Sequence, residues 1–474
     1  MKKIVFISAM FLLAASGAGA QATTMTPAKE GKTLSLNAFG YNTQSIKGPG
    51  WDRQPFLDRI AELDPGNFRY PGGTVANFWD WRTGYYNEVG LKVNVISTAK
   101  DGPFPYMLED VKKVYDRSRG AAMPIYVVNM LTSTYEEQLA MLKHAQAIGL
   151  PVRYIEMGNE YYHDNHPQNY NYLHAFPDPR DYIDSCRKWT AGFHKEFPDA
   201  RIALIGAANP QTKDDHPRAK TWNDDIVPLI AREGVVCHAV TIHIYPGYTD
   251  DKAPIANMIA TVVRMSTSDF VQNASIPDKY KLWITEFNFS STGNKAPGTW
   301  AHGISNALCA ARFMMVPQVE MICFFNLTSG LQAAAIFEAD TKFKDGSVAP
   351  KYSLSASGEA LKMVSMAQMG ATSMREVSFG DNPVIEPSKG NKYNSLYGYV
   401  FGGKTPSALL FNVSGQPRTV DITALGFAPA AATQLSSPSL ATSVAGPGSL
   451  VHASVKTTKM TTLALPAYSM TVLK

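Results

Sequence analysis

The chain has 474 residues, 45% of them hydrophobic and 18% charged, with a formal net charge of +4. That length exceeds one small domain and suits a large barrel with one appendage, while the apolar content excludes global disorder. No basic face or Lys/Arg-rich run stands out, so nothing in the charge favours nucleic acid as a partner.

Residues 1–20 read MKKIVFISAMFLLAASGAGA. Two lysines precede an apolar run from Ile4 to Ala15, and small residues follow it, which is the layout of a secretory signal peptide cleaved after Ala20 or Ala22. The run is too short to span a bilayer comfortably, and no later stretch is long and apolar enough, so no membrane partner is expected. The expected location is secreted or periplasmic. Residues 21–32 are polar and read as an irregular leader.

From there, short apolar or β-branched runs recur at 34–42, 67–71, 124–130, 152–157, 201–207, 239–245, 281–287 and 321–327. Between them lie helical patterns. Met107, Leu108, Val111, Val114 and Tyr115 share one helix face, and Thr134 with Glu137 offers a capping box. Further helices are predicted over 54–63, 180–196, 221–233, 255–265, 302–316 and 355–368. Strands such as IYVVN are too uniformly apolar to have one wet face and suit a parallel sheet covered by helices. Eight βα units in series predict an α/β fold, a closed (β/α)₈ barrel over 33–370; an open doubly wound sheet would lack its usual nucleotide-binding glycine motif. Beyond Gly370 the pattern changes to short alternating segments at 396–401, 407–413, 418–423, 449–455 and 461–473. These predict a C-terminal antiparallel β-sandwich over 371–474, which supports the barrel and has carbohydrate binding as its alternative role.

Cys186, Cys237, Cys309 and Cys323 form no CxxC pair and no zinc-ligand spacing. Four cysteines allow three pairings; the reading preferred here is that they act as small buried hydrophobes.

In a barrel, functional side chains project from the C-terminal ends of the strands. Strand two ends in Arg69, strand three near Asn129, strand four in Asn159 and Glu160, strand six in His243 and Tyr245, strand seven in Glu286, and strand eight in Asn326. Glu160 and Glu286 thus face one axial pocket, which is the arrangement that glycoside hydrolysis uses: one carboxyl donates a proton and the other attacks or assists. His243 or Tyr245 would tune a carboxylate, and Arg69 would hold the nucleophile charged. Trp79, Trp81, Tyr85 and Trp300 lie just past strand ends, where flat rings could stack on sugar faces.

These features resemble the clan of retaining (β/α)₈-barrel glycoside hydrolases whose acid/base and nucleophile glutamates end strands four and seven. Within that clan, FRYPGGTVANFWDWRTG at 68–84 looks most like the α-L-arabinofuranosidase family, and Met157-Gly158-Asn159-Glu160 matches the clan's Gly-Asn-Glu motif. The resemblance implies Glu160 as acid/base, Asn159 on the sugar 2-hydroxyl and Glu286 as nucleophile, with no metal and no cofactor. The chain departs from that family at Thr74, where Asn is usual, in strand one, which lacks a Glu, and at Asn326, where Gln is usual. Those positions grip the sugar, so related barrels acting on β-xylosides, β-glucuronides or other glycans stay open. Two other readings are a metal-dependent hydrolase using His163, Asp164, His166 and His243, and a glycan-binding protein without activity.

Overall fold

The computed structural model describes residues 22–43, 50–87, 105–118, 120–163, 175–208, 217–247, 252–272, 275–289, 296–329, 333–446 and 448–474. The expected signal peptide lies outside them. Eight strands close a parallel barrel: β1 (Phe39–Asn42), β2 (Asn67–Tyr70), β3 (Met123–Val127), β4 (Tyr154–Glu156), β5 (Arg201–Ile205), β6 (Ala239–Ile244), β7 (Lys281–Phe287) and β8 (Val319–Phe325). They pair in chain order, and β8 closes on β1 with Ile322 opposite Phe39.

A helix follows each strand: α1 (Gln54–Leu63), α2 (Leu108–Arg117), α3 (Tyr135–Ala147), α4 (Pro179–Glu196), α5 (Pro217–Arg232), α6 (Asn257–Met265), α7 (Trp300–Met315) and α8 (Ala356–Gln368). Covering helices outside and packed side chains inside bury β1 and β6 on both faces, which is why their sequences show no polar alternation. Thr134 caps α3 by accepting from the Glu137 N–H at 3.3 Å. Gly303 lets α7 approach α8 closely, since a Cβ there would sit 2.3 Å from the Ala356 carbonyl oxygen.

The barrel interior is layered. Ile125, Tyr154, Ala203, Ala239, Trp283, Met321 and Cys323 form a separate apolar floor. Two residues beyond Tyr154 on the same inward face, Glu156 on β4 begins a polar layer, as the two-residue period of a strand requires, and Arg69 on β2 joins it. On β7 the period breaks. His243 pairs with Glu286 where Thr241 pairs with Trp283, and Ile284 and Phe287 oppose Ile322 and Phe324. Both neighbours are thus one residue shorter over this span, so β7 carries a bulge around Thr285 and Glu286 that brings both side chains into the interior.

The second domain is a sheet whose strands run in the order Val451–Lys456, Ala431–Ser436, Ser469–Leu473, Ser407–Asn412, Leu396–Gly403, Ala371–Phe379, Thr23–Pro27, Arg418–Asp421 and Thr462–Leu465. It encloses its own core, including Met25, Val377, Val400, Leu410, Val420 and Leu465. Two expectations change here. The segment read as an irregular leader contributes Thr23–Pro27, antiparallel to Ala371–Phe379 and parallel to Arg418–Asp421. The run at 461–473 is two strands, since Pro466 interrupts the ladder and each half pairs elsewhere.

This sheet domain caps both ends of α7. At its start, the Trp300 and Ala301 N–H groups donate to the carbonyls of Thr442 and Leu440 at 2.9 and 2.8 Å. At its end, the Lys32 ammonium donates to the Met314 and Val316 carbonyls at 2.6 and 2.7 Å. Backbone groups that a helix terminus leaves open are satisfied from outside. All four cysteines are free, three of them buried, in keeping with the small-hydrophobe reading.

Met25 is 1% exposed although it stands only a few residues into the described chain. Met25→Ala is expected to cost about 2–4 kcal/mol in denaturant unfolding. A change within about 0.5 kcal/mol would mean that this segment is an unpacked leader.

Candidate active site

At the mouth of the barrel the ends of β2, β4, β6 and β7 converge on one buried ionic cluster. The Arg69 guanidinium is fully buried and has three acceptors. Its Nε and Nη2 donate to the two oxygens of Glu156 at 2.8 and 2.7 Å, Nη1 donates to Glu286 Oε1 at 2.7 Å, and Nη2 also reaches Asn159 Oδ1 at 2.9 Å. Burial disfavours the guanidinium charge, but the Glu156 and Glu286 carboxylates more than offset it and hold Arg69 cationic. Such a planar fork suits bidentate carboxylates.

Glu286 takes two further bonds. Tyr245 donates its hydroxyl to Oε2, and the Asn42 amide at the end of β1 donates to Oε1 at 3.3 Å. Burial first, then the charges of Glu286 and Glu160, keep the Tyr245 phenol protonated well above its ordinary range, so it acts as a donor.

Glu160 follows a sharp turn after β4. Gly158 has φ of +88°, where a Cβ would strike the Tyr161 ring at 2.4 Å, and Glu160 itself sits in the left-handed region at φ of +54°. That conformation costs an L-residue roughly 1–2 kcal/mol. The turn is held by reciprocal bonds between Asn77 and the Asn159 backbone, at 2.9 and 3.2 Å. The carboxylate accepts from Tyr162 at 3.1 Å and lies 2.7 Å from His243 Nδ1. Burial raises the Glu160 pKa, but the His243 charge and hydrogen bond, with His163 and Tyr162, bring it below the usual carboxylate range. Burial opposes a charged His243, yet Glu286 and Glu160 carry the imidazole above its ordinary value.

One oxygen each from Glu160 and Glu286 and one nitrogen of His243 lie within 4.8 Å of one another. This is the one cluster of three His, Cys or carboxylate groups among the described residues. Each member is already bonded to another member or to Arg69 or Tyr245. Of the residues read as metal ligands, His163 stands 3.8 Å from Glu160, whereas Asp164 and His166 lie outside the described residues.

Several predicted substrate contacts sit elsewhere. Trp300 is wholly buried, its indole N–H donating to the Tyr468 carbonyl of the sheet domain at 2.7 Å. Trp79 is 5% exposed and packs edge-on against Tyr70 and Tyr86, its N–H on the Tyr70 hydroxyl. Asn129 is spent on its own turn, bonding the backbone of Leu131, Thr132 and Trp79. Trp81 lies beneath the Arg82 guanidinium and beside His144, and Tyr85 pairs with Asp80 in a short hairpin. Asn326 follows β8 across a cis peptide bond and is mostly buried. Arg69, expected to hold the nucleophile charged, has no exposed surface and donates to Glu286 and Glu156. Missed altogether were Glu156, Thr285, Asn42 and Asn77. Glu156 carried a usable signal, since an acidic residue within an apolar inner strand needs a buried cation to face it.

Arg69→Met is expected to lower stability by about 3–5 kcal/mol by leaving Glu156 uncompensated, and adding Glu156→Leu should recover much of that loss. Urea unfolding of the two variants checks this; equal stability in both would mean that the pair is not coupled.

No family model matches the sequence, and no curated protein does. Solved structures do match. An α-L-arabinofuranosidase from Thermotoga maritima aligns with a TM-score of 0.64 at 16% identity, over 95% of this chain and 99% of that one. AbfB, a family 51 α-L-arabinofuranosidase from Bifidobacterium longum, gives 0.69 at 14% identity over the same shares. A 4-O-α-L-rhamnosyl-β-D-glucuronidase from Fusarium oxysporum gives 0.63 at 16% identity, over 96% of this chain and 99% of that one. In its whole architecture, a parallel eight-stranded barrel with a β-sheet domain, this chain is similar in fold to these glycoside hydrolases.

Proposed function

We propose that the protein is a retaining glycoside hydrolase acting on oligo- or polysaccharides through Glu160 and Glu286. The observation that carries this reading is that one oxygen of Glu160 and one of Glu286 lie within 4.8 Å of each other across the barrel mouth, which favours the shorter of two spacings. Retention uses carboxyl groups about 5–5.5 Å apart, whereas inversion needs about 6.5–9.5 Å to admit a water. Side-chain exposure of 16% at Glu160 against 6% at Glu286 suits an acid that meets the leaving group beside a nucleophile set deeper.

In the first step Glu286 attacks the anomeric carbon. Arg69 and Tyr245 keep its charge on the attacking carboxylate and fix its orientation. The bond to the leaving oxygen breaks as Glu160 supplies a proton, which the Glu160–His243 hydrogen bond shares beforehand. In the second step Glu160 takes a proton from water, whose oxygen attacks the glycosyl–Glu286 ester and releases the sugar with its configuration retained. The N-terminal pattern supports export, and the folds it resembles support a glycan substrate. The arabinofuranoside assignment rests on the Pro71-Gly72-Gly73 turn and on the fold likeness.

The test is sugar release from aryl glycosides, α-L-arabinofuranosides among them, and from plant, algal and host glycans. Glu286→Ala should remove turnover of every substrate, by about 10⁴-fold or more. Glu160→Ala should slow substrates with poor leaving groups far more than activated aryl glycosides. Turnover surviving in Glu286→Ala, or an even loss across leaving groups in Glu160→Ala, would contradict these roles.

A further inference from the structure

His243 makes two hydrogen bonds, and the partner at one nitrogen decides what the other can do. Nε2 lies 3.1 Å from Thr285 Oγ1, and Nδ1 lies 2.7 Å from Glu160 Oε1. Thr285 has a single hydroxyl proton, and it goes to Glu156 Oε1 at 3.0 Å. Glu156 cannot return one. Arg69 donates to both of its oxygens, at 2.8 and 2.7 Å, and an ionised carboxylate is an acceptor only. Thr285 therefore turns a lone pair toward Nε2, which must carry a proton to bond it.

The consequence falls on Glu160. With Nε2–H imposed, a neutral imidazole presents a bare lone pair at Nδ1. An ionised Glu160 opposite it would set lone pair against lone pair at 2.7 Å. The arrangement is relieved only when one proton lies between Nδ1 and Oε1, on either atom. We propose that Thr285, held by Glu156, is a positioning residue that fixes the His243 tautomer and so keeps one proton stored on the Glu160–His243 pair for delivery to the leaving oxygen. The delivery rests on the hydrolase reading; the tautomer does not.

Other charges around His243 act in the same direction or are committed. Glu160 faces it from the turn after β4, and Glu286 from β7 at 3.7 Å; both favour the imidazolium. Arg69 on β2 opposes it, and Glu156 acts through Thr285. Tyr245, on its own strand, donates to Glu286, while Tyr162 and His163 address Glu160. Removing the Thr285 hydroxyl frees Nε2 to lose its proton. The remaining proton then sits on Nδ1 and points at the ionised Glu160, so the deprotonated pair is no longer penalised. The pair should therefore give up its proton at lower pH.

The experiment is a ¹⁵N NMR titration of the full chain with labelled histidine, His243→Gln assigning the signals, on wild type, Thr285→Val and Thr285→Ser. Wild-type His243 is expected to keep Nε2 protonated throughout and to titrate above about 6.5. Thr285→Val should titrate about one pH unit lower, the scale of one hydrogen bond, and end as the Nδ1–H tautomer. Thr285→Ser should behave as wild type. An unchanged midpoint and tautomer in Thr285→Val, or a wild-type Nδ1–H tautomer, would overturn the proposal. This readout needs no turnover, so it stands apart from whether the protein hydrolyses glycosides. On a substrate found by the panel, the alkaline limb of kcat/KM should move with the NMR midpoint in Thr285→Val and return in Thr285→Ser; a limb that stays put while the midpoint moves would overturn the delivery role.

Discussion

A guanidinium without solvent access sits where four barrel strands end, and the geometry of the site follows from how it is compensated. Arg69 is planar, permanently charged and wholly buried, so it must be met by anions at fixed positions. Glu156 takes two of its N–H groups and Glu286 a third, which ties the ends of β2, β4 and β7 together at distances of 2.7–2.8 Å. The floor of apolar side chains beneath keeps water out from below and strengthens each of these bonds. Deleting one partner leaves a bare charge in that environment. For this reason the cluster confers placement more than net stability.

Glu156 and Glu286 meet the guanidinium, Glu160 adds a third carboxylate to the cluster, and His243 is the group that answers the excess of negative charge. Its imidazole is drawn upward by Glu286 and Glu160, so the layer tends toward two cations against three anions. Backbone irregularity makes the meeting possible. The bulge on β7 turns Thr285 and Glu286 inward together, and the left-handed conformation of Glu160 folds its carboxylate back toward His243. A regular β7 would send one of those two side chains out to the helices. The local strain at Glu160 is sustained by the Asn77 clasp and by the bonds to Tyr162 and His243.

The barrel was legible because its strands are short, uniformly apolar and spaced by helical patterns; β7 was predicted over 281–287 and spans Lys281–Phe287. Glu160, Glu286, His243 and Tyr245 were legible because strand ends in a barrel share one mouth. Side chains on loops were not. Trp79, Asn129 and Trp300 follow strand ends in sequence, but loop paths carry them into turns and an interdomain seam that no local pattern encodes. The strand Thr23–Pro27 was missed because its partners lie some 350–400 residues away and five residues of alternation carry little signal. Glu156 and Thr285 were missed because one carboxylate in an apolar strand, or one threonine, has meaning only once its partner on another strand is known. The β7 bulge was likewise invisible, since register is a property of neighbours and not of one strand.

In the proposed mechanism Glu286, held by Arg69, forms a covalent bond to the sugar. Rapid acid quench of a turning-over reaction, followed by intact-mass and peptide mass spectrometry, tests it directly. The expected result is a transient gain of one glycosyl unit, mapped to Glu286 and lengthened in lifetime by Glu160→Ala. A glycosyl adduct on another residue, or release of a product with inverted anomeric configuration and no adduct, would contradict it.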